Sequence, residues 1–215
     1  MEGDIVESGV FRRRSLLATA LLLKELGSSK LVYGYDSFKG FSPVYHENDD
    51  VEAFELLHNE GIISSEHFAA VQKNRTATNE LMEQKTNKKN LSKSDDFSDT
   101  RKGLLEKKLK LLNLGNVVLF EGDLQSTMTS ESGPKSIFFC MMDCDLYQSY
   151  VTSFKLVWPK LIKGGLIYLD EYFSLNFSGG RIGSGEFLAD KNCNLQMCKS
   201  SNTDLFERWF VTKTG

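Results

Sequence analysis

The chain opens with three contrasting runs of residues: Asp4-Ile-Val-Glu-Ser-Gly-Val10, Ser15-Leu-Leu-Ala-Thr-Ala-Leu-Leu-Leu-Lys-Glu-Leu26 and Leu31-Val-Tyr-Gly-Tyr35. The first and third runs predict strands, and the second predicts a buried helix that ends at Gly27, a residue suited to helix termination. A strand, a helix and a second strand in this order form one βαβ unit, which is the building block of a parallel sheet.

The alternation of strands and helices resumes in the second half of the chain. Strands are predicted at 116–123, Ser136–Met142 and Gly164–Leu169, a helix at about 148–161, and two shorter strands at about 194–199 and 208–213. The continuous apolar run Ser136–Met142 is typical of a central strand that is covered on both faces. We therefore expect an α/β protein with a mostly parallel central sheet flanked by helices.

The composition is that of an ordinary globular protein. The 215 residues include 26 Lys plus Arg against 29 Asp plus Glu, and 40% are hydrophobic, which predicts a single domain, 1–215, with a variable insertion at about 44–114. The charge balance argues against nucleic-acid binding, and the sequence shows neither a membrane span nor a secretory signal. We therefore expect a cytoplasmic protein, whose four cysteines are interpreted as reduced core thiols: Cys140, Cys144, Cys193 and Cys198.

The insertion contains one unusually polar segment. Between Asn74 and Gly103 only five residues are apolar, too few to offset the entropy of ordering the segment. We interpret it as a mobile insertion between helices, with a lid over the site as the alternative.

Acidic residues stand at the ends of five successive predicted strands. They are Glu7, Asp36, Asp123, the pair Asp143 and Asp145, and the pair Asp170 and Glu171. Ligands of open parallel sheets bind outside the carboxyl ends of the strands. The last two pairs follow strands that we expect to be adjacent, so their carboxylates should converge, and a divalent cation such as Mg²⁺ would compensate their charge. The alternative is that these acids are exposed, or pair with Arg181 or nearby lysines.

The loop after the first strand holds a single glycine, Gly9. A dinucleotide site needs the pattern G-x-G-x-x-G, so binding of NAD or FAD is not supported. One glycine preceded by Glu7 suits a nucleoside that carries an amino-acid tail. Asp36 is placed to accept hydrogen bonds from ribose hydroxyls, or else is a strand-end turn residue.

Other catalytic motifs are missing. The sequence has no G-x-S-x-G and no Walker-type G-K-[ST], which argues against a hydrolase triad and a phosphate-binding P-loop. Three histidines are interpreted as surface residues outside the site: His46, His58 and His67.

Four segments of the chain carry motifs of one known family. They are Asp4–Arg12, Tyr35–Phe41, Met142–Ser149 and Trp158–Tyr172. The specific part is the block D-x-D-L-Y-x-S followed by P-K-L-x-x-G-G-x-x-x-x-D-[DE]-Y. Together these segments resemble the macrocin O-methyltransferase family, and the likeness extends over about 1–43 and 115–190. Members of this family use S-adenosylmethionine and Mg²⁺ to methylate sugar hydroxyls of macrolide and aminocoumarin antibiotics.

The resemblance implies a Rossmann-like fold of S-adenosylmethionine-dependent methyltransferases, and it implies roles for particular residues. The metal would be held by Asp143, Asp170 and Glu171, and Asp143 or Asp145 would contribute to deprotonation of the acceptor. The cofactor would be bound by Glu7, Gly9, Asp36, Ser37 and Asp123. The partner would be a small-molecule hydroxyl acceptor, a sugar or a glycosylated metabolite, and the family also suggests a homodimer.

Several positions differ from the family pattern. Arg13 and Arg14 stand where members usually have glycines, and their side chains either crowd the methionine end of the cofactor or turn outward on the first helical turn. Asp123 replaces a frequent aromatic residue, and Gly185 replaces a frequent aspartate. Because the helices that precede the first strand in family members are missing, we expect a minimal or truncated copy. Two other functions stay open: a catalytically inert cofactor-binding or interaction module of the same fold, and a catechol-type O-methyltransferase.

Overall fold

The computed structural model describes residues 2–41, 45–82, 101–131, 133–198 and 206–215. Within these residues seven strands form one sheet in the order β3-β2-β1-β4-β5-β7-β6. The strands are β1 (Asp4–Ser8), β2 (Val32–Asp36), β3 (Val117–Glu121), β4 (Ile137–Met142), β5 (Leu161–Leu169), β6 (Cys193–Cys198) and β7 (Arg208–Lys213). Strands β1 to β5 pair in parallel, whereas β7 runs antiparallel to both β5 and β6. The predicted mostly parallel sheet is confirmed, and so is the adjacency of β4 and β5.

Helices fill the connections between the strands. They are α1 (Arg14–Glu25), α2 (Ala53–Asn59), α3 (Ser65–Met82), α4 (Lys102–Leu111), α5 (Leu124–Thr127), α6 (Tyr147–Lys160) and α7 (Gly179–Leu188), with 3₁₀ turns at Glu47–Asp49 and Asp170–Phe173. The predicted elements agree with these bounds except at β5, which begins three residues earlier than expected. The glycine-rich helix α7 was not predicted.

The leucine-rich pattern of α1 explains both its packing and its end. Leu16, Ala20 and Leu23 are its buried residues, and they pack in one apolar cluster with Val32 of β2. The helix ends in a Schellman motif, since the amide of Ser28 donates to the carbonyl of Leu23 and Gly27 adopts a φ of 61°.

Each face of the sheet carries its own apolar cluster. Successive residues of β1 point to opposite faces, so Ile5 contacts the cluster built on α1, whereas Val6 belongs to the cluster that contains Phe154 and Val157 of α6. Burial on both faces holds the central strands in register. Their parallel direction places all their carboxyl ends at one edge of the sheet.

The insertion between β2 and β3 is helical where it is described. Phe54 and Leu57 of α2 pack with Val71 of α3 and with Ile182 of α7. Because α3 continues to Met82, the prediction of an unstructured segment from Asn74 onward was wrong for its first nine residues, and residues 83–100 lie outside the described part of the chain. No helix in the described ranges has both the length and the apolar character needed to cross a bilayer.

None of the four cysteines forms a disulfide bond within the described residues. Cys140 and Cys144 are core residues, as predicted. Cys193 is only half-buried and Cys198 is exposed, because both lie on β6, a strand at the edge of the sheet that is covered incompletely.

Candidate functional site

A cleft lies at the carboxyl edge of the sheet and spans about 720 Å³ of empty space, part of which is open to solvent. It is centred on the point where β1 lies between β2 and β4, which is where the order of the strands reverses. Most of the residues singled out from the sequence line it: Gly9, Asp36, Ser37, Asp123, Asp143 and Asp145. Its apolar walls include Phe11, Phe41, Leu124 and Leu146.

Gly9 allows the ends of β1 and β4 to approach each other closely. A Cβ atom at this position would lie 1.7 Å from the carbonyl oxygen of Asp143, and the φ of Gly9 is 88°. The amide of Asp143 in turn donates to the carbonyl of Ser8 at 2.9 Å. Only glycine satisfies both the space and the backbone conformation, so Gly9 fixes the position of the loop that carries Asp143.

Asp36 joins two loops through its carboxylate. One oxygen accepts hydrogen bonds from the amides of Val10 and Phe11 at 2.8 and 2.9 Å. The other oxygen accepts from the amide of Phe38 at 2.6 Å. Asp36 therefore has a structural role at the end of β2, and its binding of a ribose stays a prediction.

Ser37 and Asp123 both border the cleft, at the ends of the neighbouring strands β2 and β3. The hydroxyl of Ser37 donates to the carbonyl of Gly40 at 2.6 Å. Asp123 caps α5 by accepting from the amide of Gln125 at 2.8 Å. Both contacts stabilise short turns, so these two polar side chains are held at the cleft wall where the resemblance places the cofactor.

Glu7 is buried below the cleft and does not line it. Its exposed fraction is 3%, and one carboxylate oxygen accepts from the hydroxyl of Ser15 at 2.7 Å. Burial is the main reason why the pKa of Glu7 is raised from 4.5 to about 8, and the charges of Asp143 and Asp36 raise it further. At neutral pH this carboxyl group therefore holds a proton when no cation is near it.

The raised pKa of Glu7 predicts a pH dependence of stability. The folded chain binds a proton at Glu7 up to about pH 8, whereas the unfolded chain releases it near pH 4.5, so this group makes the free energy of unfolding fall as pH rises between those values. Glu7→Gln removes this titrating group, so the free energy of unfolding of the variant should fall less steeply with pH, by up to about 1.4 kcal/mol per pH unit. Urea denaturation at pH 5.5 and 8.5 measures this difference, and Glu2→Gln, at an exposed carboxylate, is the control. Equal slopes in wild type and Glu7→Gln would contradict the assignment.

The two arginines of the first loop have different environments. Arg14 is exposed at the first residue of α1, so its side chain turns outward. Arg13 has an exposed fraction of only 4% and a left-handed φ of 70°. Its Nε and Nη2 atoms have no hydrogen-bond partner within the described residues. Neither arginine is among the residues that line the cleft.

Replacing Arg13 by glycine is expected to stabilise the protein. The change relieves a left-handed backbone conformation, which costs about 1 kcal/mol in a non-glycine residue, and removes buried donors without partners, which cost about 1–3 kcal/mol. After the greater chain entropy of glycine is subtracted, we expect the free energy of unfolding to rise by about 1–2 kcal/mol. Thermal and urea denaturation measure the change, and Arg14→Gly at the exposed neighbour is expected to lower stability slightly. A less stable Arg13→Gly variant would show that the guanidinium has a partner in solution.

Three carboxylates meet at the ends of β4 and β5. Asp143, Asp145 and Glu171 each offer a ligand oxygen, and these atoms lie within 4.8 Å of one another. Glu171 is 3% exposed, and the hydroxyl of Tyr150 donates to its Oε2 at 2.5 Å and accepts from its amide at 3.1 Å. Tyr150 was not singled out from the sequence, although it lies only five residues beyond Asp145.

Asp170 lies beside this cluster and is not one of its three members. Its carboxylate accepts a hydrogen bond from the hydroxyl of Tyr168 at 2.8 Å, and its charge raises the pKa of each of the three acids. Two of the three predicted metal ligands, Asp143 and Glu171, therefore belong to the cluster, and its third member is Asp145. The role of Asp170 as a ligand stays a prediction.

Burial and mutual repulsion disfavour the ionised form of this cluster. Desolvation and the charges of Asp170 and Asp36 raise the pKa of Asp143 to about 7. Desolvation and neighbouring carboxylates also raise the pKa values of Asp145 and Glu171 well above the usual range. No lysine or arginine forms an ion pair with the three acids in the described part of the chain. Oxygen ligands grouped in this way fit a hard divalent cation, which binds oxygens at about 2.0–2.6 Å.

Arg181 does not supply the missing positive charge. Its guanidinium lies 3.7 Å from the centre of the Tyr172 ring and donates to the carbonyl of Ile62 at 2.7 Å. It therefore holds the turn that follows Glu171 against the connection between α2 and α3.

The histidines take no direct part in the acidic cluster. His58 stacks on Phe68 and is partly exposed. His46 stacks on Tyr147, and its Nδ1 accepts from the amide of Asn48 at 3.2 Å. The prediction that all three are surface residues was wrong for His67, whose exposed fraction is 7% and whose Nε2 lies 2.8 Å from the carbonyl oxygen of Ser174.

Comparison with known proteins identifies the fold. No family model and no curated protein matches the chain. The solved structure of the O-methyltransferase NovP matches with a TM-score of 0.68 and 16% identity, over 100% of this chain and 73% of that one. The calicheamicin methyltransferase CalS11 matches with a TM-score of 0.66 and 17% identity, over 99% of this chain and 72% of that one. The chain has the Rossmann-like methyltransferase fold.

A second structure of CalS11 also matches, and its description gives the reaction of that enzyme. This apo structure, described as a TDP-rhamnose 3'-O-methyltransferase of calicheamicin biosynthesis, matches with a TM-score of 0.59 and 16% identity. The neighbours with the higher TM-scores are therefore O-methyltransferases. At these identities the likeness establishes the methyltransferase fold, whereas the function of the chain depends on the residues of its own site.

Proposed function

We propose that this chain is an S-adenosylmethionine-dependent O-methyltransferase that methylates a hydroxyl group of a small molecule, most simply a sugar, with a divalent metal such as Mg²⁺ orienting the acceptor. The observation that carries the proposal is the convergence of Asp143, Asp145 and Glu171 beside the cleft of a methyltransferase fold. Glu171 is buried, Asp143 and Asp145 are half-buried, and none of the three forms an ion pair within the described residues. A bound divalent cation would balance their charges.

The residues of the cleft would position the two reactants. Gly9, Asp36 and Ser37 border the part of the cleft that the resemblance assigns to the cofactor, and Glu7 below it would offer a negative charge to the ammonium group of the methionine. Phe11 and Leu146 would exclude water from the reacting atoms. Holding acceptor oxygen and methyl group in line is the main contribution that a protein makes to this kind of displacement.

The acidic cluster would supply the metal site and the proton acceptor. When bound, S-adenosylmethionine supplies an activated methyl group and the divalent cation makes the acceptor hydroxyl more acidic. Asp143, Asp145 and Glu171 would hold the cation, with Asp170 beside them. As the oxygen–methyl bond forms and the sulfur–methyl bond breaks, the hydroxyl proton would pass to a carboxylate oxygen of Asp143 or Asp145.

Calorimetry followed by an acceptor screen tests the proposal. S-adenosylmethionine is titrated into the protein with and without Mg²⁺, and methyl transfer from labelled cofactor is then measured with TDP-rhamnose, with glycosylated metabolites and with catechols. Metal-dependent methylation of a sugar supports the proposal, and preference for catechols would favour the catechol-type enzyme. Binding without any transfer would favour the inert module. No binding at near-millimolar cofactor, or activity that survives a strong chelator, would contradict the proposed mechanism.

A further inference from the structure

Helix α6 begins directly after the acidic turn but lacks a cap from its own segment. Its N-cap residue, Leu146, has an apolar side chain and makes no side-chain hydrogen bond to the first turn. The first amides of a helix have no partner within the helix, so this terminus needs an acceptor from elsewhere.

Asp49 provides that acceptor from a distant part of the chain. Its Oδ1 accepts from the amide of Tyr147 at 2.8 Å across a sequence separation of 98 residues. The exposed fraction of Asp49 is 3%, and its Oδ2 also accepts from the amide of His46 at 3.3 Å. The ring of His46 stacks on the ring of Tyr147 with 4.3 Å between centres. Two contacts therefore join the turn at Glu47–Asp49 to the start of α6.

The position of Asp49 is in turn fixed by the start of α7. A Cβ atom on Gly179 would lie 2.0 Å from Oδ1 of Asp49, so only glycine leaves room for this carboxylate. The hydroxyl of Ser178 donates to the carbonyl of Asn48 at 2.7 Å. Asp49 therefore lies between the N-termini of α6 and α7 and contacts both.

The residue that most needs such support is Asp145. It adopts a φ of 60°, which is unfavourable for a residue other than glycine, and the turn around it is closed by a hydrogen bond of 2.6 Å from the amide of Leu146 to the carbonyl of Cys144. A left-handed aspartate persists only where the surrounding structure holds it. The capped amide of Tyr147 lies two residues further along the same turn.

We propose that Asp49 is a positioning residue for the acidic cluster: by capping α6 through the amide of Tyr147, it holds Asp145 in the left-handed turn that brings its carboxylate to Asp143 and Glu171. Asp49 is not itself a member of the cluster. Without the cap, the start of α6 is free to shift and Asp145 relaxes to a right-handed or extended conformation. The inference rests on the metal site of the proposed function.

The first experiment measures Mn²⁺ affinity by electron paramagnetic resonance, without cofactor or acceptor. We expect Asp49→Ala to weaken Mn²⁺ binding about tenfold or more, whereas Asp49→Asn, which keeps an acceptor oxygen of similar capping strength, stays within about threefold of wild type. Glu47→Ala is the matched control, because Glu47 is an exposed carboxylate of the same turn and its loss leaves the bond from Tyr147 to Asp49 intact, so its Mn²⁺ affinity should stay within about threefold of wild type. An unchanged affinity in Asp49→Ala, or an equal loss in Asp49→Asn, would overturn the proposal.

The second experiment does not depend on metal. Crystal structures of wild type and Asp49→Ala are compared, and the φ of Asp145 is expected to leave the left-handed region in the variant. If Asp49→Ala fails to fold, Asp49→Leu replaces it, since an apolar side chain of similar size fills the space but accepts no hydrogen bond from the amide of Tyr147. A wild type that binds no Mn²⁺ would refute the metal site, while an unchanged Asp145 turn in the variant would refute the role of Asp49.

Discussion

Glu171→Gln is expected to lower the rate of methyl transfer about 100-fold or more, while the Kd for S-adenosylmethionine stays within about threefold. Glutamine has almost the shape of the protonated side chain and can keep the hydrogen bond to Tyr150. It supplies no negative charge to a cation, so the loss falls on the chemical step. The variant should be at least as stable as wild type, because it removes a buried ionisable group whose charged form is disfavoured.

Steady-state kinetics, calorimetry and thermal denaturation measure these three quantities together. Glu186→Gln is the control, since Glu186 is an exposed carboxylate that accepts a hydrogen bond from Tyr147 at 2.6 Å and lies outside the cluster. Full activity in Glu171→Gln would remove the cluster from the mechanism. Comparing Asp145→Asn with Asp170→Asn in Mn²⁺ binding then identifies the third ligand, because the geometry favours Asp145 and the family resemblance favours Asp170.

Gly9→Ala is expected to damage both folding and cofactor binding. The new methyl group would lie 1.7 Å from the carbonyl oxygen of Asp143, so the loops after β1 and β4 must separate. Overpacking costs about 1–3 kcal/mol and the left-handed backbone about 1–2 kcal/mol more, so we expect a loss of about 2–5 kcal/mol in the free energy of unfolding. Because Gly9 and Asp143 both line the cleft, S-adenosylmethionine should bind about tenfold more weakly or worse.

The matched control for this prediction is Gly27→Ala. Gly27 also has a positive φ, 61°, but nothing lies within 4 Å of a Cβ atom placed there. Gly27→Ala should lower the free energy of unfolding by only about 1 kcal/mol, which is the strain of the left-handed backbone, and it should leave cofactor binding unchanged. Urea denaturation and calorimetry distinguish the two glycines, and equal losses at both positions would show that the approach of Gly9 to Asp143 carries no special weight.

Much of the fold could be predicted because its signals are local. The apolar run that becomes β4 and the leucines of α1 each determine one element, and the order of the elements determines a parallel sheet. Helix α7 escaped prediction because its glycines disfavour a helix in isolation. Two of them, Gly179 and Gly180, are required by tertiary contacts, since a Cβ atom there would lie 2.0 Å from Oδ1 of Asp49 and 2.5 Å from the Cβ of Glu171, respectively.

The candidate site was predicted less completely, because it too depends on contacts between residues that are distant in sequence. The acidic residues at the strand ends could be picked out one by one, and the structure places all of them at one edge of the sheet. Their individual environments depend on partners that are distant in sequence: Asp36 is engaged by loop amides, and Asp49 caps a helix 98 residues away. No local pattern marks such a pair, so the support of the cluster became visible only in three dimensions.

The carboxylate of Asp36 has a consequence for how a ligand would enter. It joins the loop after β1 to the loop after β2 through hydrogen bonds from three amides, so the two loops hold each other in place. The entropy of ordering them is lost during folding, so little remains to be lost when a nucleoside arrives. Association should therefore be rapid, with no slow rearrangement of these two loops after the diffusional encounter.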